Sequence, residues 1–155
     1  MLKENNTMSL ESRINAGIKE AMKAKDDARK RTLRSIKSQI LLLKTSGAGG
    51  EVTEAQELKL LQKMAKQREE SWTTYKEQGR DDLAITEKEE LDIIKEFLPK
   101  EMSDAELEAA LKAIIEQVGA STMRDMGKVM GTATKELAGK ADGKKMSTMV
   151  RQLLA

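Results

Sequence analysis

The sequence predicts an all-α protein: an N-terminal bundle of about four helices joined to a small C-terminal three-helix module. Apolar residues recur at spacings of three and four along most of the chain. The composition points the same way, with one Pro and one each of Trp, Tyr and Phe among 155 residues. Ten Met residues suit either irregular gaps between packed helices or an adaptable groove.

Residues 1–8 read as a disordered leader, with Met8 as an alternative start. The N-terminal domain follows over residues 9–98. Ser9 is a good N-cap for a first helix to about Ala24, with Leu10, Ile14, Ile18, Ala21 and Met22 as its buried stripe. Lys25-Asp26-Asp27 breaks the chain, and an Asp caps a second helix from about Ala28 to Lys44. Its apolar face is Leu33, Ile36, Ile40 and Leu43, and Lys30, Arg34, Lys37 and Lys44 form a basic face beside it. Ser46 to Gly50 is a flexible loop. It has no preceding strand and no following Lys-Ser/Thr pair, so it does not read as a phosphate cradle.

Thr53 and Gln56 make a capping box for a long helix to about Gln78, with Leu58, Leu61, Met64, Ala65, Trp72 and Tyr75 on or near its apolar side. Trp72 and Tyr75 read as core or edge packing rather than a stacking platform. Gly79 stops this helix. Asp81 or Asp82 starts a fourth, to about Phe97, and Leu98-Pro99 ends it.

The C-terminal module covers residues 103–155. Ser103 and Glu106 form a second capping box, for a helix carrying Leu107, Leu111, Ile114, Ile115 and Val118 and stopped by Gly119. Ser121 or Thr122 caps the next, from about Thr122 to Leu137. Gly139 stops it, Lys140 to Gly143 turn, and a last helix carries Met146, Met149, Val150, Leu153 and Leu154.

The penultimate helix is the most informative stretch. Met123, Met126, Met130, Ala133 and Leu137 make an apolar stripe. Arg124, Lys128, Gly131 and Lys135 fall on the opposite face. Gly costs about 1 kcal/mol against Ala inside a helix, so Gly131 needs a reason. Either a neighbouring helix packs closely there, or a phosphate approaches the backbone between two cations. The N–H groups of Ser121 to Arg124 and the positive end of the helix dipole would add to an anion site. Lys140, Lys144 and Lys145 place more charge near the other end.

Net charge is only +2, but it is unevenly spread. Residues 1–80 carry 17 basic and 11 acidic side chains, residues 81–102 carry 3 and 8, and residues 124–155 carry 7 and 3. Two basic regions flank an acidic connector. Within it, Glu87-Lys88-Glu89-Glu90-Leu91-Asp92 reads as a solvated helix face with one supporting ion pair, Lys88 with Asp92.

Catalytic chemistry finds little footing. There is no His and no Cys, so the usual proton shuttle, thiolate nucleophile and zinc ligands are missing. No catalytic residue, metal site or cofactor is expected. The N-terminus lacks the apolar run of a secretory signal, and no apolar segment approaches the length of a membrane span. The expectation is a cytoplasmic protein with no membrane partner.

Three blocks resemble the GatB/YqeY family in the expected order: LESRINAGIKEAMKAKDDARKRTLRSIKSQI, KQREESWTTYKEQGRDDLAITEKEELDIIKEFLPKEMSDAEL and DMGKVMGTATKELAGKADGKKMS. Together they cover roughly residues 8 to 155. The length suits the free-standing YqeY type, not the B subunit of the aspartyl/glutamyl-tRNA amidotransferase whose tail shares the module. The resemblance implies a tRNA-facing surface built from Gly127-Lys128-Val129-Met130-Gly131 and Gly139-Lys140-Ala141-Asp142. With the charge pattern, the expected RNA contacts are Arg124, Gly127, Lys128, Gly131, Lys135, Lys140, Lys144 and Lys145. The family is often labelled with carbon–nitrogen ligase activity using glutamine as amido donor. Nothing in this chain resembles the transamidation or ATP site, so catalysis is not extended to it. The expected function is recognition of tRNA or other structured RNA by backbone and shape through the C-terminal module, with the basic face Lys30, Arg34, Lys37 and Lys44 as a second candidate contact. The alternative is an accessory factor docking on an amidotransferase or aminoacyl-tRNA synthetase.

Overall fold

The computed structural model describes residues 8–46 and 51–155. The leader expected over residues 1–8, Met8 excepted, and the loop at 47–50 lie outside the described residues. All seven helices described are α-helical, confirming the all-α class: α1 Leu10–Ala24, α2 Asp27–Ser46, α3 Glu54–Glu77, α4 Asp81–Lys95, α5 Asp104–Val118, α6 Met126–Glu136 and α7 Gly143–Leu154. The chain divides into two compact units, Met1–Leu98 and Pro99–Ala155.

Side chains and backbone set the ends of these helices. Ser9 Oγ accepts from the Ser12 N–H at 3.1 Å, and Asp26 accepts from the Arg29 N–H at 3.0 Å. The boxes at Thr53/Gln56 and Ser103/Glu106 are both closed reciprocally. Gly79 and Gly119 stop their helices in the left-handed region, at φ 71° and 69°. Lys25 does the same without the freedom of glycine, at φ 56°.

In the first unit α1 packs on α2, α2 on α4, and α3 along α4. Its core is Leu10 and Ile14 from α1, Leu33, Ile36 and Ile40 from α2, Leu61, Met64 and Ala65 from α3, and Leu91 and Ile94 from α4. Burying each large aliphatic side chain is worth about 1.5–3 kcal/mol. Gly17 lets α1 and α2 approach: a Cβ there would meet Leu33 Cδ1 at 2.8 Å. Met22, expected in the α1 stripe, is 54% exposed while Ala21 beside it is buried; one residue turns a helix by about 100°, which takes Met22 off the core-facing side.

The acidic stretch of α4 departs from a purely solvated face. Lys88 and Asp92 do pair, at 3.1 Å. Glu87 and Glu90, however, keep only 22% and 13% of their side-chain surface exposed. Arg68 Nε of α3 lies 3.4 Å from Glu90 and 3.9 Å from Glu87, while Arg31 of α2 lies 3.7 Å from Glu90 and 3.8 Å from Glu89. Burial, then the neighbouring Glu90, push the Glu87 carboxyl above its ordinary value.

The second unit is a three-helix module around Leu107, Leu111 and Ile114 of α5, Val129 and Ala133 of α6, Leu137, and Met146, Val150 and Leu154 of α7. The Met102 N–H donates to the Lys140 carbonyl at 2.8 Å. That bond ties the segment before α5 to the α6–α7 turn.

Candidate nucleic-acid interface

The penultimate helix begins at Met126, not Thr122. A 3-10 turn, Met123–Asp125, precedes it. The cause is Asp125, whose carboxylate accepts from the Ser121 N–H at 2.9 Å and the Thr122 N–H at 3.2 Å. Short acidic side chains compete in this way for backbone donors. The same two bonds hold the Asp125 carboxyl below its usual value. Three expectations change. The Ser121 and Thr122 donors are already engaged. Met123 leaves the apolar stripe and is 47% exposed. Arg124 sits in the 3-10 turn, outside the helical register of Lys128 and Lys135.

Within α6 the two-faced pattern holds, with one addition. Val129 and Ala133 are fully buried, and Met126 and Met130 are half-buried. Counting the stripe by its methionines passes over Val129, which is its centre. On the outward face Gly127, Lys128, Gly131 and Lys135 are all exposed. With Thr132 and Glu136 they line a shallow open depression of about 300 Å³.

The two glycines are open, so close packing of a neighbouring helix does not explain Gly131 among the described residues. A Cβ on Gly127 or Gly131 would meet nothing within 4 Å, and neither has a positive φ. Among the described residues no neighbouring helix packs against them, unlike Gly17. Each glycine therefore weakens α6 with no compensating contact among the described residues. Lys128 and Lys135 beside them make no ion pair among the described residues. The face offers two ammonium groups and bare backbone, with Glu136 as the one acid in the depression.

The remaining expected contacts are distributed differently. Lys140 is exposed in the turn after α6. Lys144 and Lys145 line a second open depression on α7 with Asp142, Thr148, Met149 and Gln152. Lys145 is paired with Asp104 at the start of α5, and that hydrogen bond raises its pKa. Asp104 and Asp125 were not singled out by sequence. The spacing of Thr122 and Asp125, an acid three residues after a cap, is the local signal for the second. The first pairs over 41 positions and leaves no local trace.

On the first unit the basic face of α2 is half occupied. Lys30 pairs with Asp27 at 3.6 Å and Lys44 with Glu11, leaving Arg34 and Lys37 without an ion pair among the described residues. Trp72 and Tyr75 are half-buried, and the Lys88 ammonium sits 5.3 Å from the Trp72 ring centroid. No group of three or more metal-ligating side chains exists among the described residues. No described helix is long and apolar enough to cross a membrane.

Comparison with known proteins gives the lineage. The Yqey-like protein family matches residues 11–154. Three curated relatives carry the name "Altered inheritance of mitochondria protein 41, mitochondrial". The one from Clavispora lusitaniae is 36% identical over 115 residues, 73% of this chain and 66% of the relative. That of Vanderwaltozyma polyspora is 32% identical over 145 residues, 85% of this chain and 78% of the relative. That of Lachancea thermotolerans is 32% identical over 103 residues, 65% of this chain and 55% of the relative. The chain thus spans just under two thirds of the first relative's length. These names overturn the cytoplasmic expectation, since all three relatives are described as mitochondrial. Composition misleads here for a physical reason: a helical domain in any aqueous compartment needs the same polar surface and apolar core. With a family match running from the second residue of α1 to the last of α7, the chain belongs to the YqeY-like family.

Proposed function

We propose that this protein is a non-catalytic RNA-binding module that grips structured RNA, tRNA first, by backbone and shape. The observation that carries the reading is the outward face of α6. Gly131 leaves open space between Lys128 and Lys135, and Gly127 extends it on the N-terminal side of Lys128, with neither glycine packed against another of the described residues. A sugar–phosphate backbone is an occupant that uses both features: it needs cations, and it approaches closest where side chains are absent. With few aromatic residues to stack on splayed bases, contact with backbone is favoured over reading of single strands. The non-catalytic half is supported by side-chain chemistry. The chain has no imidazole and no thiol, and Glu87 and Glu90 face arginines.

The test is tRNA affinity across a salt series. Lys128, Lys135, Lys140 and Lys144 together neutralise about four phosphates, contributing about −3 to the slope of log K against log salt. Reversing Lys128 and Lys135 to Glu should weaken binding at least about tenfold and flatten the slope by about 1.5–2. No binding at low salt, or indifference to the reversal, contradicts the reading.

A second reading has its own support. Leu41, Leu42 and Ile85 are 48%, 57% and 60% exposed, apolar surface that docking on a protein such as an amidotransferase or aminoacyl-tRNA synthetase would cover. Co-purification with and without ribonuclease separates the two. A complex that survives RNA removal favours the accessory role.

A further inference from the structure

Between Glu57 and Glu69 the chain holds four cations and no carboxylate: Lys59, Lys63, Lys66 and Arg68. The structure separates them. Arg68 turns to Glu87 and Glu90 of α4. Lys59, Lys63 and Lys66 are exposed, on the side of α3 opposite buried Leu61, Met64 and Ala65. Steps of four and three align them in one row.

Like charges at these spacings weaken a helix. Some cations of this unit are paired, as are Lys30 with Asp27, Lys76 with Asp81 and Lys88 with Asp92. None of the three α3 lysines has an ion-pair partner among the described residues. Even Glu70, four residues after Lys66, does not come within pairing distance. Arg68 shows that acids are within reach of this helix, but on its other side. The row is therefore a cationic surface with no counter-charge at pairing distance among the described residues.

We infer that Lys59, Lys63 and Lys66 form a second nucleic-acid contact, tracking one strand of a sugar–phosphate backbone. A rise of about 1.5 Å per residue makes the row about 10.5 Å long. One strand of a duplex presents a phosphate about every 3.4 Å of its axis, so the row spans about three phosphate intervals and its three ammonium groups can neutralise about three phosphates along them. No aromatic residue occurs from Leu58 to Arg68, so the contact reads backbone and not stacked bases. It rests on the proposed function only for the class of partner; its residues lie in the other unit and are tested separately.

The experiment uses the full chain and the variant K59Q/K63Q/K66Q. Gln is close to Lys in helix propensity, and all three sites are exposed, so circular dichroism should match the parent. Affinity for a folded tRNA transcript is measured across about 50–200 mM salt, alongside K128E/K135E and vesicles rich in phosphatidylserine. The expected result is weaker tRNA binding, with a salt slope shallower by about 2. Binding of K59Q/K63Q/K66Q equal to the parent overturns the inference, and if K128E/K135E still fails to bind, the α6 reading survives it. Weakening by the α3 variant alone supports the inference and sinks the α6 reading. Loss of vesicle binding with tRNA binding unchanged overturns the choice of nucleic acid. A parent that binds no tRNA overturns both.

Discussion

A methyl group on Gly17 would lie 2.8 Å from Cδ1 of Leu33, a side chain with no exposed surface. Leu33 is held between α1 and the rest of the first core, so it has little room to give. Gly17→Ala should therefore destabilise the protein. Overpacking costs about 1–3 kcal/mol, against about 1 kcal/mol regained by removing a helix glycine. Denaturant unfolding should show a net loss of up to about 2 kcal/mol, and RNA binding should be unchanged in the folded protein.

The ion pair between Lys145 and Asp104 sets up a competition. A phosphate arriving at α7 must displace a carboxylate already on that ammonium. Asp104→Asn should free Lys145, raising tRNA affinity by a factor of about two to five and steepening the salt slope by about 0.7–0.9. The gain should vanish in a Lys145→Ala background. A gain that persists there would place the effect in the α5 terminus instead.

The pH dependence of stability has two limbs. The Glu87 carboxyl is raised by burial and by Glu90, so the folded state holds its proton more tightly than the unfolded chain does. Its contribution is most favourable below the ordinary carboxylate range and is lost as pH rises through the folded value. Asp125 and Glu106 are lowered, by backbone hydrogen bonds from Ser121 and Thr122 and by the bonds to Ser103 respectively. Their contribution is present above the ordinary range and is lost as pH falls through the folded values. Thermal unfolding of Glu87→Gln should show a higher midpoint at neutral pH than the parent, with the difference closing near pH 4.

Much of the fold was legible in sequence because helix ends are local. Ser9, Thr53 and Ser103 cap within three residues, and Gly79 and Gly119 stop helices by their own backbone freedom. The core followed from period alone at Ile14, Leu33, Leu111 and Val150. What was not legible depends on partners distant in sequence. Glu90 looks solvated until Arg68 and Arg31 arrive from two other helices, and Lys145 looks free until Asp104 does. The start of α6 failed for a nearer reason: Asp125 took the backbone donors that an earlier helix start would have left open. Of the candidate site, spacing placed Lys128, Gly131 and Lys135 on one face. Whether Gly131 was packed or open required the coordinates.

Gly127 and Gly131 bring stability and binding into opposition. Unfolding and tRNA affinity should be measured on one preparation of Gly127→Ala/Gly131→Ala. Removing two unpacked helix glycines should stabilise the protein by about 1–2 kcal/mol in total, while the added methyl groups hold the RNA backbone off and weaken affinity about tenfold. Gained stability with parental affinity would mean that nothing seats on the open face of α6, and would contradict the proposed interface.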